Sequence, residues 1–280
     1  MRKIPVSQIT EAVRKLCIET NTVLGEDVVI GLQKARQAEK SPLAKDVLER
    51  ILENAKIAKN ECIPLCQDTG FVVVFMEIGQ DVCLEGRGLK EAVDEGVRQG
   101  YREGFFRGSI VSDPFERKNT GDNVPAVLYT EIVQGDRVRI RLAPKGGGAE
   151  NMSGIRMLTP SAGVEGVKAF VVEQVSRAGA NPCPPVVVGI GIGGTFEKCA
   201  LLSKKAVLRN LGERHPSAFY ADLERDLLER VNRIGIGPAG FGGRTTALDV
   251  FIEVHPCHIA ALPVAVNLQC HAARHGEIVL

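Results

Sequence analysis

Two apolar runs restrict what this chain can become: FVVVFMEI at 71–78 and PPVVVGIGI at 184–192. A membrane-spanning helix takes about 20 apolar residues, and both runs stop well short of that. Both are rich in Val and Ile, so they read as buried strands. Helical periodicity surrounds them. Ile4, Ile9, Val13, Leu16 and Cys17 keep a helical period after Ser7, which reads as an N-cap. Leu43, Val47, Leu48, Ile51, Leu52 and Ala55 do the same after Ser41, with Pro42 suited to the first helical position. Further helices are predicted over Leu89–Glu103, Ala162–Ala178, from Thr195, and over a charged Pro216–Asn232 segment that suits a solvated outer face.

Ala126–Val133 and Arg137–Leu142 read as strands joined by a Gln134-Gly135-Asp136 turn. Ala247–Val254 and Pro263–Leu268 supply two more strands, and Ser109–Asn123 reads as loop. The expected fold is a mixed α/β class: small mixed sheets surrounded by helices, with a helical N-terminal region, in one domain over residues 1–280. No repeat or linker interrupts it. A net charge of +1 gives no electrostatic basis for binding nucleic acid or an anionic membrane. The opening MRKIPVSQIT turns polar before a signal-peptide core forms, so a cytoplasmic chain is expected.

Eight cysteines stand at 17, 62, 66, 83, 183, 199, 257 and 270. Disulfides are a poor explanation for them without a secretory signal, which leaves metal ligation or burial. About half are expected in the core; Cys17 fits a helical core stripe, and Cys199 follows the turn into a helix. Cys66, Cys183 and Cys270 lie instead at the ends of predicted elements, where side chains converge on a site. No C-x-x-C occurs, which argues against a zinc ribbon or a ferredoxin-type run. A second signal is Gly189-Ile-Gly-Ile-Gly-Gly194, a G-x-G-x-x-G between a strand and a helix. The strand and acidic residue that should follow in a dinucleotide-binding unit are missing, so close backbone approach explains the glycines better. A nicotinamide-dependent oxidoreductase using Gly189–Gly194, or a zinc-stabilised scaffold, are the readings from other classes.

Six segments in order, PLCQDTG (64–70), NTGDNVP (119–125), PKGGGAENMS (144–153), NPCPPVVVGIGIGGT (181–195), GFGGRTTALDV (240–250) and NLQCHAAR (267–274), resemble the alpha, or N-terminal, half of the class I fumarase and L-tartrate dehydratase family. The resemblance spans nearly the whole chain. It implies an iron–sulfur hydro-lyase in which Cys66, Cys183 and Cys270 ligate a [4Fe–4S] cluster and one iron stays open as a Lewis acid. It also implies substrate contacts from Gln67, Arg107 and Gly147, and catalytic roles for Asp68, as proton donor, and for a substrate-proximal His258. A guanidinium such as Arg107 suits bidentate carboxylate binding. Backbone N–H groups of Gly146–Gly148 suit the charge that builds when a proton beside a carboxylate is removed.

The implied reaction is reversible hydration of fumarate to L-malate, a step of the tricarboxylic acid cycle, with L-tartrate dehydration as the alternative. The family's second domain, which carries further substrate contacts, does not follow Cys270 here. A separate beta subunit is therefore the expected partner, in a heterotetramer or larger assembly acting on a C4 dicarboxylate. An open cluster iron implies oxygen sensitivity.

Overall fold

In the computed structural model, which describes residues 1–280, each apolar run becomes an inner strand of its own four-stranded mixed sheet. The chain divides into two compact units. The first comprises Met1–Gly25, Ala55–Gly146 and Arg274–Leu280; the second comprises Glu26–Asn54 and Gly147–Ala273. The mixed α/β class read from the sequence is what forms.

In the first unit the sheet order is Gly276–Val279, Val138–Lys145, Phe71–Gly79, Val127–Val133. Phe71–Gly79 pairs parallel with Val127–Val133 and antiparallel with Val138–Lys145. Val72, Val74, Met76 and Ile78 alternate into one core with Val138, Ile140 and Leu142. Each fully buried aliphatic side chain there contributes about 1.5–3 kcal/mol. Helices Val6–Thr22 and Leu89–Glu103 close this core. They approach closely because Gly96 and Gly100 face the first helix. A Cβ at Gly96 would stand 2.6 Å from the Thr10 carbonyl oxygen, and one at Gly100 would stand 2.7 Å from Cys17 Cβ.

In the second unit the sheet order is Gly154–Leu158, Leu262–Gln269, Val186–Gly193, Ala247–His255. Helices Gly163–Ala178 and Ala218–Asn232 cover a core of Val186, Val188, Ile190, Val250, Ile252, Val264 and Val266. The charged Ala218–Asn232 helix is solvated on one side as expected, and buries Leu223, Leu227 and Val231 on the other.

Several local expectations are corrected. The first helix begins at Val6 with Pro5 as its N-cap, so Ser7 lies inside the helix. At the Pro42–Glu61 helix the expectation holds, and the Ala44 amide donates to Ser41 Oγ at 3.3 Å. Val127–Val133 and Val138–Lys145 do not form a hairpin. The more apolar Phe71–Gly79 strand is inserted between them, and the Gly135 turn crosses its end, with Gly79 N–H donating to the Arg137 carbonyl at 2.8 Å. Short edge strands Arg2–Pro5, Val82–Glu85, Gly154–Leu158 and Gly276–Val279 carry too few residues for a visible alternation. Only Cys17 and Cys199 are buried, fewer than the expected half.

The glycine motif is also placed differently. Gly189 and Gly191 lie within the Val186–Gly193 strand, not in a turn. Their bare Cα atoms let helix Phe196–Ala206 lie directly on the strand, since a Cβ at Gly191 would overlap the Cys199 carbonyl oxygen. Only Gly193 and Gly194, at φ +86° and +72°, make the turn into that helix. Glycines occupied in helix–strand packing are not a phosphate loop.

Candidate active site

In the first unit the Leu65–Gly70 segment enters the central strand through a turn whose backbone is held at both ends. Leu65 N–H donates to the Asn21 carbonyl at 2.8 Å. The Asp68 carbonyl accepts from Arg274 Nη2 at 2.9 Å. The Thr69 carbonyl accepts from the Tyr101 hydroxyl at 2.6 Å, and that of Gly70 from Tyr101 at 3.1 Å and from Asn123 Nδ2 at 3.1 Å. Buried carbonyls need such partners, because an unmet one costs about 1–3 kcal/mol. Gly70 adopts φ +73°, and its Cα lies against the Lys145 backbone, which a Cβ would meet at 2.6 Å.

Inside this frame, Cys66 is half-buried and unpaired. Asp68 N–H points to Cys66 Sγ at 3.4 Å, and the Cys66 thiol donates to Gln67 Oε1 at 3.2 Å. Asp68 Oδ1 accepts from Gly70 N–H at 3.0 Å. Its other carboxylate oxygen lies 3.1 Å from where a Gly146 Cβ would stand, so a side chain at Gly146 would press on Asp68. Arg107 is tied to the same segment, since Thr69 Oγ1 donates to the Arg107 carbonyl at 3.0 Å. Asn123 Oδ1 accepts the Ser109 amide at 2.7 Å. The Arg107 side chain is exposed and forms no ion pair within the chain. Gln67, Asp68 and Arg107 are thus brought onto one rigid frame with Cys66.

In the second unit, Cys183 and Cys270 belong to touching segments. His271 N–H donates to the Cys183 carbonyl at 3.2 Å, and His271 Nδ1 lies 3.0 Å from the same oxygen. Cys183 is exposed at φ +55°, and Cys270 is half-exposed at the end of the Leu262–Gln269 strand. Gly147 opens a one-turn helix, Gly147–Glu150. Glu150 fixes that helix to the strand leading to Cys270: its carboxylate accepts from Lys204 Nζ at 2.5 Å and from Asn267 Nδ2 at 3.2 Å. Ser153 Oγ accepts from Asn267 Nδ2 at 3.0 Å and from Leu268 N–H at 3.3 Å. His258 lies in the exposed loop after Ala247–His255, and its ring bond is local: Ala260 N–H to Nδ1 at 3.1 Å.

Burial separates these cysteines from the core ones. It raises the Cys17 thiol far above its usual range and lifts Cys199 to about 11, so neither supplies a thiolate near neutral pH. Cys66, Cys183 and Cys270 are accessible and reduced, and Cys66 receives a backbone N–H of the kind that supports iron–sulfur clusters. Within neither unit do three or more His, Cys, Asp or Glu side chains gather into a metal-binding set. Tyr101, Asn123 and Arg274 are the site residues the sequence reading passed over. Asn123 and Arg274 stood inside the motifs NTGDNVP and NLQCHAAR, whereas Tyr101 showed only as one more residue on an apolar helical stripe.

In the first unit one turn thus presents a thiol, an amide and a carboxylate together. The sequence model of fumarate hydratase (Fumerase) matches residues 10–279, and the chain belongs to that family of hydro-lyases. Among curated proteins, it is 45% identical over 275 residues to a putative L(+)-tartrate dehydratase subunit alpha of Methanocaldococcus jannaschii, covering 96% of each chain. It is 37% identical over 279 residues to the L(+)-tartrate dehydratase subunit alpha of Escherichia coli K12, covering 98% of this chain and 91% of that protein. No helix is long and apolar enough to cross a membrane.

Proposed function

We propose that residues 1–280 are the alpha-type catalytic chain of an iron–sulfur hydro-lyase that reversibly hydrates fumarate to L-malate. The observation that carries this reading is the Cys66–Gly70 turn, where an accessible thiol stands beside Gln67 and Asp68 on a backbone whose Asp68, Thr69 and Gly70 carbonyls are all hydrogen-bonded. Cys66, Cys183 and Cys270 would hold the cluster. When bound, a [4Fe–4S] cluster with one iron free of protein ligands supplies a Lewis acid for the leaving hydroxyl.

The chain's own residues do the rest. Arg107, exposed and without an internal ion pair, binds one substrate carboxylate through its planar fork. Gln67 is exposed beside Cys66 and orients substrate by hydrogen bonding. Gly147, with no side chain in the way, offers its amide to the oxygen on which charge accumulates. Asp68, with one oxygen on the Gly70 amide, serves as the proton donor. His258, on its exposed loop, contributes a second polar contact near the substrate. The reading includes a beta-type subunit that completes the site, an assembly of the heterotetramer kind or larger, a cytoplasmic setting within the tricarboxylic acid cycle, and oxygen lability.

L-Tartrate is the second reading, favoured by the names of the relatives at 37–45% identity. The first test is iron and acid-labile sulfide per chain in anaerobically purified wild type and Cys183→Ser. About four of each in wild type with loss in the variant supports the cluster. Absence of sulfide after reconstitution refutes it. With a beta-type chain added, kcat/KM for L-malate against L-tartrate then decides the substrate.

A further inference from the structure

Arg274 is the largest fully buried side chain in the molecule, at 1% exposure. Its charge meets no carboxylate: Nη1 donates to Asn21 Oδ1 at 2.9 Å, Nη2 donates to the Asp68 carbonyl at 2.9 Å, and Nε has no acceptor. A buried guanidinium with neutral partners is a poor stabilising device, and an apolar side chain of similar volume would serve the core better. Its geometry indicates another role.

Asn21 is wholly buried and anchored in the Val6–Thr22 helix, its Nδ2 donating to the Cys17 carbonyl at 2.9 Å. The Asn21 backbone carbonyl takes the Leu65 amide, and the Asn21 side chain takes Arg274. Arg274 takes the Asp68 carbonyl in turn. The Cys66-Gln67-Asp68 turn is therefore clasped at both ends by one helix residue, directly at Leu65 and through the guanidinium at Asp68. Tyr101 and Asn123 hold only the carbonyls beyond it, at Thr69 and Gly70.

We propose that Arg274 is a positioning residue that closes this clasp and fixes the Cys66 thiol and the Asp68 carboxylate in their working orientation. The inference rests on the reading that Cys66 and Asp68 belong to the active site. A planar fork reaches Asn21 and Asp68 at once, whereas a lysine ammonium on its flexible stem reaches one of them well.

The test is hydrogen exchange by mass spectrometry on the full chain as wild type, Arg274→Gln and Arg274→Lys. In Arg274→Gln, amides of Cys66–Gly70 are expected to exchange at least about tenfold faster, with Val6–Thr22 and Phe71–Gly79 unchanged. Arg274→Lys, which keeps the buried charge, is expected to fall between. In the assembly with a beta-type chain, kcat should fall about tenfold while KM changes less than about threefold, because the substrate contacts remain. Unchanged exchange at Cys66–Gly70 in the glutamine variant overturns the proposal. So does faster exchange throughout the first unit in both variants, which marks Arg274 as a residue of general stability. If exchange responds as expected while wild type takes up no iron or sulfide, the clasp stands and the iron–sulfur reading fails.

Discussion

Replacing Tyr101 by Phe removes one oxygen atom from beneath the Cys66 turn and leaves the rest of the side chain in place. The ring stays in its edge-on packing against Phe106, with centroids 5.5 Å apart, so no cavity opens beyond the hydroxyl. The Thr69 carbonyl loses its 2.6 Å bond from this hydroxyl, while the Gly70 carbonyl keeps Asn123. One lost hydrogen bond costs about 1 kcal/mol, and leaving a buried carbonyl unmet extends the range to about 1–3 kcal/mol. Burial raises the Tyr101 hydroxyl pKa well above its ordinary value. A group whose folded pKa is raised contributes stability that is complete below its unfolded pKa, about 10, and lost as pH climbs past it. Wild type should therefore weaken above about pH 10 in a way that Tyr101→Phe does not. Urea unfolding followed by far-UV circular dichroism, at pH 7 and at alkaline pH, reads both effects. A change below about 0.3 kcal/mol at pH 7, or an identical alkaline limb in the two proteins, would refute the account of this turn.

Gly191→Ala drives a methyl group into the Cys199 carbonyl, so the Phe196–Ala206 helix must move; a loss of about 1–3 kcal/mol in the same urea assay is expected. Glu39 is buried, which raises its pKa, but backbone N–H groups of Arg244, Ser41, Lys40 and Thr245 outweigh that and hold it low. Its contribution is present above about pH 4.3 and fades as pH falls through the depressed folded value, so Glu39→Gln should flatten the acid limb of the stability profile. Arg107→Lys replaces a fork with a point charge and should raise KM for the dicarboxylate about tenfold, measured in steady-state kinetics with a beta-type chain.

Where one short-range pattern decides an element, the sequence was readable. Leu89–Glu103 forms over the predicted residues, and Ser41-Pro42 starts its helix because the cap and the fixed proline φ are local chemistry. Strand order was hidden, because the insertion of Phe71–Gly79 between Val127–Val133 and Val138–Lys145 depends on which strand is most apolar across some 70 residues. In the site, Cys66, Gln67 and Asp68 came from one motif and Arg107 from the family resemblance, and the structure ties them to one frame in the first unit. Arg274 and Tyr101 escaped notice because their value lies in which carbonyl they meet, 206 and 32 residues away. Ser7 misled for a related reason. A good capping residue loses its role when Pro5, two residues earlier, sets the chain's entry into the helix.

The discontinuity of the first unit has a consequence for how the protein is made. Its edge strand, Gly276–Val279, and Arg274 are translated only after the 127 residues from Gly147 to Ala273. At about 5–20 residues per second, that stretch occupies a ribosome for roughly 6–25 s. For all that time the nascent Val138–Lys145 strand has an open edge and the Asp68 carbonyl lacks its guanidinium. The Cys66 turn is thus among the last parts of the first unit to be secured, after the whole Gly147–Ala273 stretch has been made.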